Sequence, residues 1–154
     1  VRVYDVTFGN SKFVASGAVG AIQISANNGS NWSSGSSGTS TNTLYGITFG
    51  NNKFFSVGNS GKLIISSDNG STFSNLTSPV TKNLYSVAFG NNIFVGVGYR
   101  TVVVSNNDGS TVTEKENNLT FKDVTFGNGV FAAVGDDEKI YTSTDGDTWT
   151  KVYP

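Results

Sequence analysis

The chain contains no cysteine and no histidine. Their absence excludes thiol nucleophiles, Cys/His zinc sites, Ser-His-Asp triads and histidine-ligated haem within these 154 residues, and we expect no cofactor. Charged residues are also few, at 14% with a net charge of −1, and they form no basic run. Because duplex binding needs clustered Lys and Arg, the sequence disfavours a nucleic-acid partner.

Long hydrophobic segments are missing too, since no apolar stretch approaches the roughly 20 residues that cross a bilayer. The chain opens with VRVY, which reads as a strand rather than a signal peptide, and we expect no membrane insertion. The lack of methionine indicates a mature product or an excised piece. Gly, Ser, Thr and Asn dominate instead, and such a neutral polar surface favours an extracellular or virion-surface location.

One ten-residue motif occurs four times along the chain. It reads FGNSKFVASG, FGNNKFFSVG, FGNNIFVGVG and FGNGVFAAVG, with its first Phe at positions 8, 49, 89 and 126. Successive copies therefore start 41, 40 and 37 residues apart. A repeat of this length whose copies each hold several short β-runs predicts a β-propeller.

Each copy divides into four short runs with strand character. In the second copy Tyr45, Ile47 and Phe49 alternate with small residues, which predicts a strand with these three side chains on one face. We predict an all-β fold of four antiparallel four-stranded blades in one repeat domain, at about 3–43, 44–83, 84–120 and 121–154. The fourth run opens at an aromatic residue except in the third copy, where Val112 predicts the least well packed outer hairpin.

The turn between the third and fourth runs has a signature of its own. It reads SSDNGSTF from Ser66 and STDGDTW from Ser143, which resembles the Asp-box (BNR-like) motif S-x-D-x-G-x-T-W of sialidase-type propeller repeats. The resemblance covers the whole chain and implies a propeller fold with these turns at the blade periphery. It implies a structural role rather than metal binding or catalysis. The corresponding residues are Asn27, Asp68, Asp108 and Asp145.

Four blades are at the low limit for a propeller, and an open arc would expose two apolar sheet faces. Three arrangements remain open at this point. The four blades close on themselves, two chains pair into an eight-bladed ring, or the chain belongs to a larger propeller. We expect completion from outside the 154 residues, with self-association as one route.

The loops that differ between the copies point to a candidate binding face. In a four-stranded meander the turns between the second and third strands share one face with the connectors between blades, and divergent loops on a rigid scaffold are where function resides. The candidate ligand-binding residues there are Asn59, Tyr99, Arg100, Asp136 and Asp137. Tyr99 and Arg100 suit a sugar or a carboxylate, and Asp136, Asp137 and Glu138 suit a cation. For both groups, a solvated turn that serves the fold is the favoured explanation.

These features favour a non-catalytic binding or structural module that contacts a glycan or a protein surface. One alternative is a glycoside hydrolase using Asp5 and Asp123, which hold equivalent positions on the first strands. Sialidases grip their substrate with three arginines, whereas this chain has only Arg2 and Arg100. The other alternative is an intracellular assembly scaffold.

Five N-x-S/T sites are glycosylation candidates if the protein is secreted, at Asn28, Asn31, Asn69, Asn75 and Asn118.

Overall fold

The computed structural model describes residues 1–39, 41–106, 108–116 and 118–152, with the side chain of residue 116 left out. In that part of the chain it contains four antiparallel sheets of four strands. The strands of every sheet follow chain order, as in a meander. Each sheet coincides with one sequence repeat, and we call the sheets blades one to four.

The strand bounds differ between blades mainly at the outermost strand. Blade one holds β1 (Val3–Gly9), β2 (Lys12–Gly17), β3 (Ile22–Ser25) and β4 (Ser33–Ser34). Blade two holds β5 (Leu44–Gly50), β6 (Lys53–Gly58), β7 (Leu63–Ser66) and β8 (Ser74–Asn75). Blade three holds β9 (Leu84–Gly90), β10 (Ile93–Gly98), β11 (Thr101–Ser105) and β12 (Val112–Glu116). Blade four holds β13 (Phe121–Gly127), β14 (Val130–Gly135), β15 (Ile140–Ser143) and β16 (Thr150–Val152).

Successive blades pack face to face around three apolar cores, because each blade is apolar on both faces. The inner strands β1, β5, β9 and β13 are neighbours in that order. The core between blades one and two contains Val14, Ile22, Leu44, Ile47, Phe54, Ile64 and Phe73. The next core contains Phe55, Val57, Leu63, Leu84, Val87, Phe94 and Val103. The third contains Val95, Val97, Val102, Phe121, Val124, Phe131 and Tyr141.

The FGN part of the repeat is explained by one contact between blades. A Cβ built on Gly9 would lie 2.1 Å from Cγ of Phe49, so only glycine lets this ring lie on the backbone. A Cβ built on Gly50 would likewise lie 2.0 Å from Cγ of Phe89. One built on Gly90 would lie 2.2 Å from the ring of Phe126. Each junction between blades therefore uses the glycine of one repeat and the first Phe of the next.

The Asp-box-like turns are held by side chain to backbone hydrogen bonds. The amide N–H of Thr72 donates to Asp68 at 2.9 Å, and its hydroxyl donates at 2.6 Å. These bonds, the hydroxyl bond first, lower the pKa of Asp68 to about 2. Asn27 accepts the amide N–H of Asn31 at 2.9 Å, so the neutral side chain performs the same task.

The other two turns differ in detail. Asp145 accepts the amide N–H groups of Thr148 and Asp147 at 3.0 and 2.9 Å, which lower its pKa. Asp108 instead accepts bonds from the hydroxyl and the amide of Ser110, at 2.7 and 2.8 Å. In that third turn Asn106 accepts the amide N–H of Thr111 at 3.1 Å, and the neighbouring residue 107 lies outside the described residues.

The third blade has the longest outer strand, although its fourth run opens at Val112 rather than at an aromatic residue. All five residues of β12 pair with β11, whereas β4 and β8 have two residues each. Val112 is partly buried against the core between blades two and three. An uninterrupted run without Gly or Pro continues from Val112 to residue 116, and such a run suits a strand better than a loop.

The four blades form an open arc. The inner strands of blades one and four are separated by those of blades two and three, and one apolar face of each terminal blade is exposed. Among the described residues no helix is long and apolar enough to span a bilayer.

Candidate functional site

The predicted binding face is one of the two loop-bearing faces of the arc, and it runs across all four blades. On this face the second strand of each blade turns into the third. The register puts the start of each inner strand on the same face, since Leu44 pairs with Gly58 immediately before the turn Asn59–Gly61. The connectors between blades also reach the inner strands here. We call this the connector face.

Each inner strand carries a β-bulge at its start. In blade two, Leu44 pairs with Gly58 and Gly46 pairs with Val57, so Tyr45 is the extra residue. The same register shift occurs in blades one, three and four. The displaced residues are Tyr4, Tyr45, Tyr85 and Lys122, which we call the tyrosine row. A bulge re-aims a side chain, and bulges are frequent next to functional sites.

The side chains of the tyrosine row contact one another from blade to blade. The rings of Tyr4 and Tyr45 meet edge to face with centroids 5.6 Å apart. The rings of Tyr45 and Tyr85 are tilted, with centroids 5.9 Å apart. Lys122 extends the row, because its Nζ lies 4.8 Å from the centre of the Tyr85 ring as a cation–π contact. The row therefore crosses all four blades, and Tyr4 at its end is half exposed.

The bulges are positioned by the closing glycine of each repeat. A Cβ on Gly58 would lie 2.1 Å from the carbonyl oxygen of Thr43, and the next amide, that of Asn59, donates to this carbonyl at 2.9 Å. The other three blades repeat both contacts. Their glycine, amide and carbonyl residues are Gly17, Ala18 and Arg2 in blade one, Gly98, Tyr99 and Asn83 in blade three, and Gly135, Asp136 and Thr120 in blade four.

Tyr99 and Arg100 lie on the connector face, in the turn of blade three. Tyr99 is half exposed. The guanidinium of Arg100 donates to Oδ1 of Asn118 at 3.4 Å, and its carbonyl accepts a bond from Lys82 at 3.1 Å. Arg100 is thus tied to two connectors.

Asn59 and the acidic residues also have partners within the fold. Oδ1 of Asn59 accepts bonds from the Asn42 side chain at 3.1 Å and from the Thr43 amide at 3.0 Å, which ties down the connector into blade two. Asp136 forms an ion pair with Lys122 at 3.5 Å and so adjoins the tyrosine row.

Asp137 accepts the hydroxyl of Tyr141 at 2.6 Å, and this bond lowers the pKa of Asp137. Tyr141, the hydrogen-bond partner of Asp137, belongs to the core between blades three and four. Within the described residues, no group of three or more carboxylates is arranged to hold a metal ion. The ligand-binding role predicted for the five connector-face residues stays a prediction.

Asp5 and Asp123 follow the tyrosine row on the inner strands. Asp5 accepts the amide N–H of Val6 and that of Ile47, each at 2.8 Å, so both its oxygens are bonded and one bond joins blades one and two. Burial and, to a lesser extent, the charge of Asp123 raise the pKa of Asp5, while the two amide bonds oppose the rise. Asp123 accepts the Ser86 hydroxyl at 2.7 Å, which joins blades three and four.

The tyrosine row does not follow from strict alternation along the strand, because alternation assigns Tyr45 to the same face as Ile47. The signal was present, since three tyrosines and a lysine occupy one repeat position that follows an apolar residue in every copy. That apolar residue, such as Leu44, is the one that belongs to the core.

No protein-family model matches the sequence, and no curated protein matches it either. Similar solved structures exist. YCF48 bound to a D1 peptide superposes with a TM-score of 0.76 at 15% identity, over 97% of this chain and 54% of that chain. An ancestral GH74 enzyme gives 0.76 at 21% identity, over 99% of this chain and 24% of that chain. The WD40 β-propeller domain of Doa1 gives 0.70 at 16% identity, over 94% of this chain and 52% of that chain.

The chain thus spans about half the length of YCF48 and of the Doa1 domain. These three proteins have different roles, and identities of this size show the fold alone. Together with the four meander sheets, they confirm the predicted architecture: this chain adopts a β-propeller fold with four four-stranded blades.

Proposed function

We propose that this chain is a non-catalytic binding module that takes a protein segment on the tyrosine row of its connector face. The observation that carries the proposal is the row itself: four equivalent bulges aim Tyr4, Tyr45, Tyr85 and Lys122 along one line across the blades. Tyrosine combines a large apolar ring with a polar hydroxyl, which is why it is enriched where proteins bind other proteins.

Ring geometry favours a peptide over a sugar. A sugar stacks on an open aromatic face, but Lys122 covers one face of Tyr85 and Tyr45 lies between two other rings. Ring edges and hydroxyl groups are what such a row offers, and these suit the backbone and side chains of an extended segment. YCF48, a similar fold, was solved with a peptide bound, which is a precedent for the class of ligand.

The contacts of the carboxylates support a role without catalysis. A glycosidase needs one carboxylate to donate a proton and another to act as base or nucleophile. Asp5 has both oxygens engaged by backbone amides, and Asp123 accepts a hydroxyl and an amide, so each stabilises a junction between blades.

Three finer assignments belong to the same proposal. The neutral polar composition supports an extracellular or virion-surface location over an intracellular assembly scaffold. The Ser66–Asp68 and Ser143–Asp145 hydroxyl–carboxylate bonds, at 2.8 and 3.0 Å, support assignment of the turns as Asp boxes. The half-exposed ring of Tyr99 supports its use as a second contact beside the row.

Selection of a displayed random-peptide library on the immobilised chain tests the function. We expect enriched peptides whose binding weakens at least tenfold in Tyr4→Ala, because this ring is exposed and supports little of the core. Tyr85→Phe isolates the contribution of a hydroxyl. Ser71→Ala, an exposed residue in the turn between β7 and β8 on the loop face opposite the connector face, is the control and keeps binding unchanged.

Peptides that bind both tyrosine variants as tightly as the parent chain would contradict the proposal. A glycan array probed in parallel distinguishes the alternative: retention of a sugar that depends on Tyr4, with no peptide enriched, would replace the protein segment by a glycan.

A further inference from the structure

The two ends of the arc carry the two halves of one blade junction. On blade one, Val6 is 53% exposed, whereas its equivalent Ile47 in blade two is 3% exposed. On blade four, Ile140 is 44% exposed, whereas its equivalent Ile22 in blade one is 1% exposed. In the three internal junctions, the face equivalent to that of Val6 packs against the preceding blade. The face equivalent to that of Ile140 packs against the following blade.

The same contact between glycine and phenylalanine is missing at both ends. Three junctions place a ring on a glycine, as Phe49 on Gly9. Gly127, the fourth such glycine, has no atom within 4 Å of its built Cβ, and Phe8, the fourth such ring, is 56% exposed. Both partners of a fourth contact are therefore present in the chain but do not meet within it.

A second repeated contact gives the same result. The glycine of each Asp-box-like turn approaches the preceding blade: a Cβ on Gly70 would lie 3.0 Å from Val14, and one on Gly146 would lie 2.7 Å from Val95. Gly29, the equivalent in blade one, has nothing within 4 Å. The blade-one face also contains an apolar depression of about 350 Å³ lined by Val3, Val6, Ala15, Gln23 and Trp32.

We propose that the exposed face of blade four binds the exposed face of blade one in a second copy of this chain, and that two copies close head to tail into an eight-bladed ring. The chosen occupant is a second copy because the required surface is one that the chain itself carries, and because the same junction already occurs three times inside each copy. Head-to-tail contacts close a ring when the rotation per copy permits it.

The extent of the arc agrees with two copies. In chain length, this chain matches 54% of YCF48 and 52% of the Doa1 propeller domain, so two copies supply about the length of one such protein. In such a ring the tyrosine row becomes continuous, since Lys122 of one copy adjoins the start of β1 in the other, where Tyr4 lies. The inference goes beyond the proposed function and does not depend on what the row binds.

Light scattering on a sizing column tests the inference with the 154-residue chain, whose mass is 16.2 kDa. We expect a dimer. Val6→Asp on blade one and Ile140→Asp on blade four should each give a monomer, while Val19→Asp, an exposed valine on neither face, should remain dimeric. Circular dichroism checks that each variant is folded, which is expected because the substituted side chains are exposed in the single chain.

Mixing the two monomeric variants distinguishes a head-to-tail contact from a symmetric one. Val6→Asp keeps an intact blade-four face and Ile140→Asp keeps an intact blade-one face, so the mixture regains one good junction and should form a 1:1 complex. A monomeric parent chain overturns the proposal, as further blades of another chain would then have to cover the faces. A folded mixture that stays monomeric, or one variant that remains dimeric alone, overturns the head-to-tail arrangement.

Discussion

The ring of Phe49 lies directly on the backbone of Gly9, at a distance where a Cβ would stand 2.1 Å from Cγ. This contact passes from blade one to blade two, and the next two junctions repeat it. It gives the FGN motif a physical meaning, because the glycine is required by a neighbour in the next repeat rather than by its own turn.

The first prediction concerns this glycine. Gly50→Ala should destabilise the protein by about 1–3 kcal/mol, because the added methyl group overlaps the Phe89 ring and the junction has to move apart. Gly127→Ala is the matched control, since nothing lies within 4 Å of the added carbon in the single chain. Urea unfolding of dilute samples measures the free energy of unfolding of both variants. Equal losses of unfolding free energy in the two variants would refute the role of the ring contact.

Trp32 reports on the exposed face of blade one. It is 45% exposed, whereas its equivalent Phe73 is 6% exposed inside a junction. With Trp149→Phe as background, the emission of Trp32 should shift to the blue as protein concentration rises, because a second copy covers the ring. Adding Ile140→Asp should abolish the shift. In the control variant Trp32→Phe, emission of the partly buried Trp149 should not depend on concentration.

Acid stability should depend on Asp68. Hydrogen bonds, first from the Thr72 hydroxyl, hold the pKa of Asp68 at about 2, below the usual 3.8. A lowered pKa means that this carboxylate stabilises the fold above pH 3.8 and that the contribution is lost as pH falls from 3.8 through 2. Asp68→Asn should lower Tm at pH 7 more than at pH 2. The size of the effect is small, because the group is exposed and solvent screens it.

A Tm difference between Asp68→Asn and the parent chain that is the same at both pH values would contradict this account. Asn27 occupies the equivalent position in blade one, so the substitution is compatible with the turn and the fold should be retained.

The contribution of Asp5 to stability should depend on pH in the opposite sense. Burial, with a smaller effect of the Asp123 charge, raises the pKa of Asp5. Its favourable contribution to the free energy of unfolding is therefore complete below pH 3.8 and is lost as pH rises through the pKa of the folded state. Asp123→Asn removes one negative charge and should lower the pKa of Asp5. Carbon-13 NMR titration of the carboxyl group measures the change. An unchanged or higher pKa would show that the Asp123 charge does not act on Asp5.

Much of the fold was predictable because the repeats carry it. Four copies of one motif, with their turns and apolar runs, predict four meander blades, and the structure contains them. The tyrosine row was not predicted, because the bulge at Tyr45 is caused by the close approach of Gly58 to the Thr43 carbonyl, a contact between backbone segments that periodicity does not reveal.

The length of the outer strand of blade three could not be predicted for a related reason. Its first residue, Val112, does not indicate how far the strand extends, because the pairing of all of β12 with β11 determines that length. The connector-face residues were predicted by position on the fold, but partners such as Asn118 for Arg100 and Tyr141 for Asp137 depend on connectors and cores that differ between copies.

The central claim, that the Phe8 ring of one copy lies on Gly127 of another, is tested most directly by disulfide formation in this cysteine-free chain. Phe8→Cys and Gly127→Cys are made in separate chains, mixed and oxidised. The positive control is one chain with Gly9→Cys and Phe49→Cys, the same pair of repeat positions at the junction of blades one and two, where the ring of Phe49 lies on Gly9. We predict a covalent heterodimer in the mixture and an intrachain bridge in the control. A bridged control beside a mixture that forms no covalent heterodimer would contradict the account.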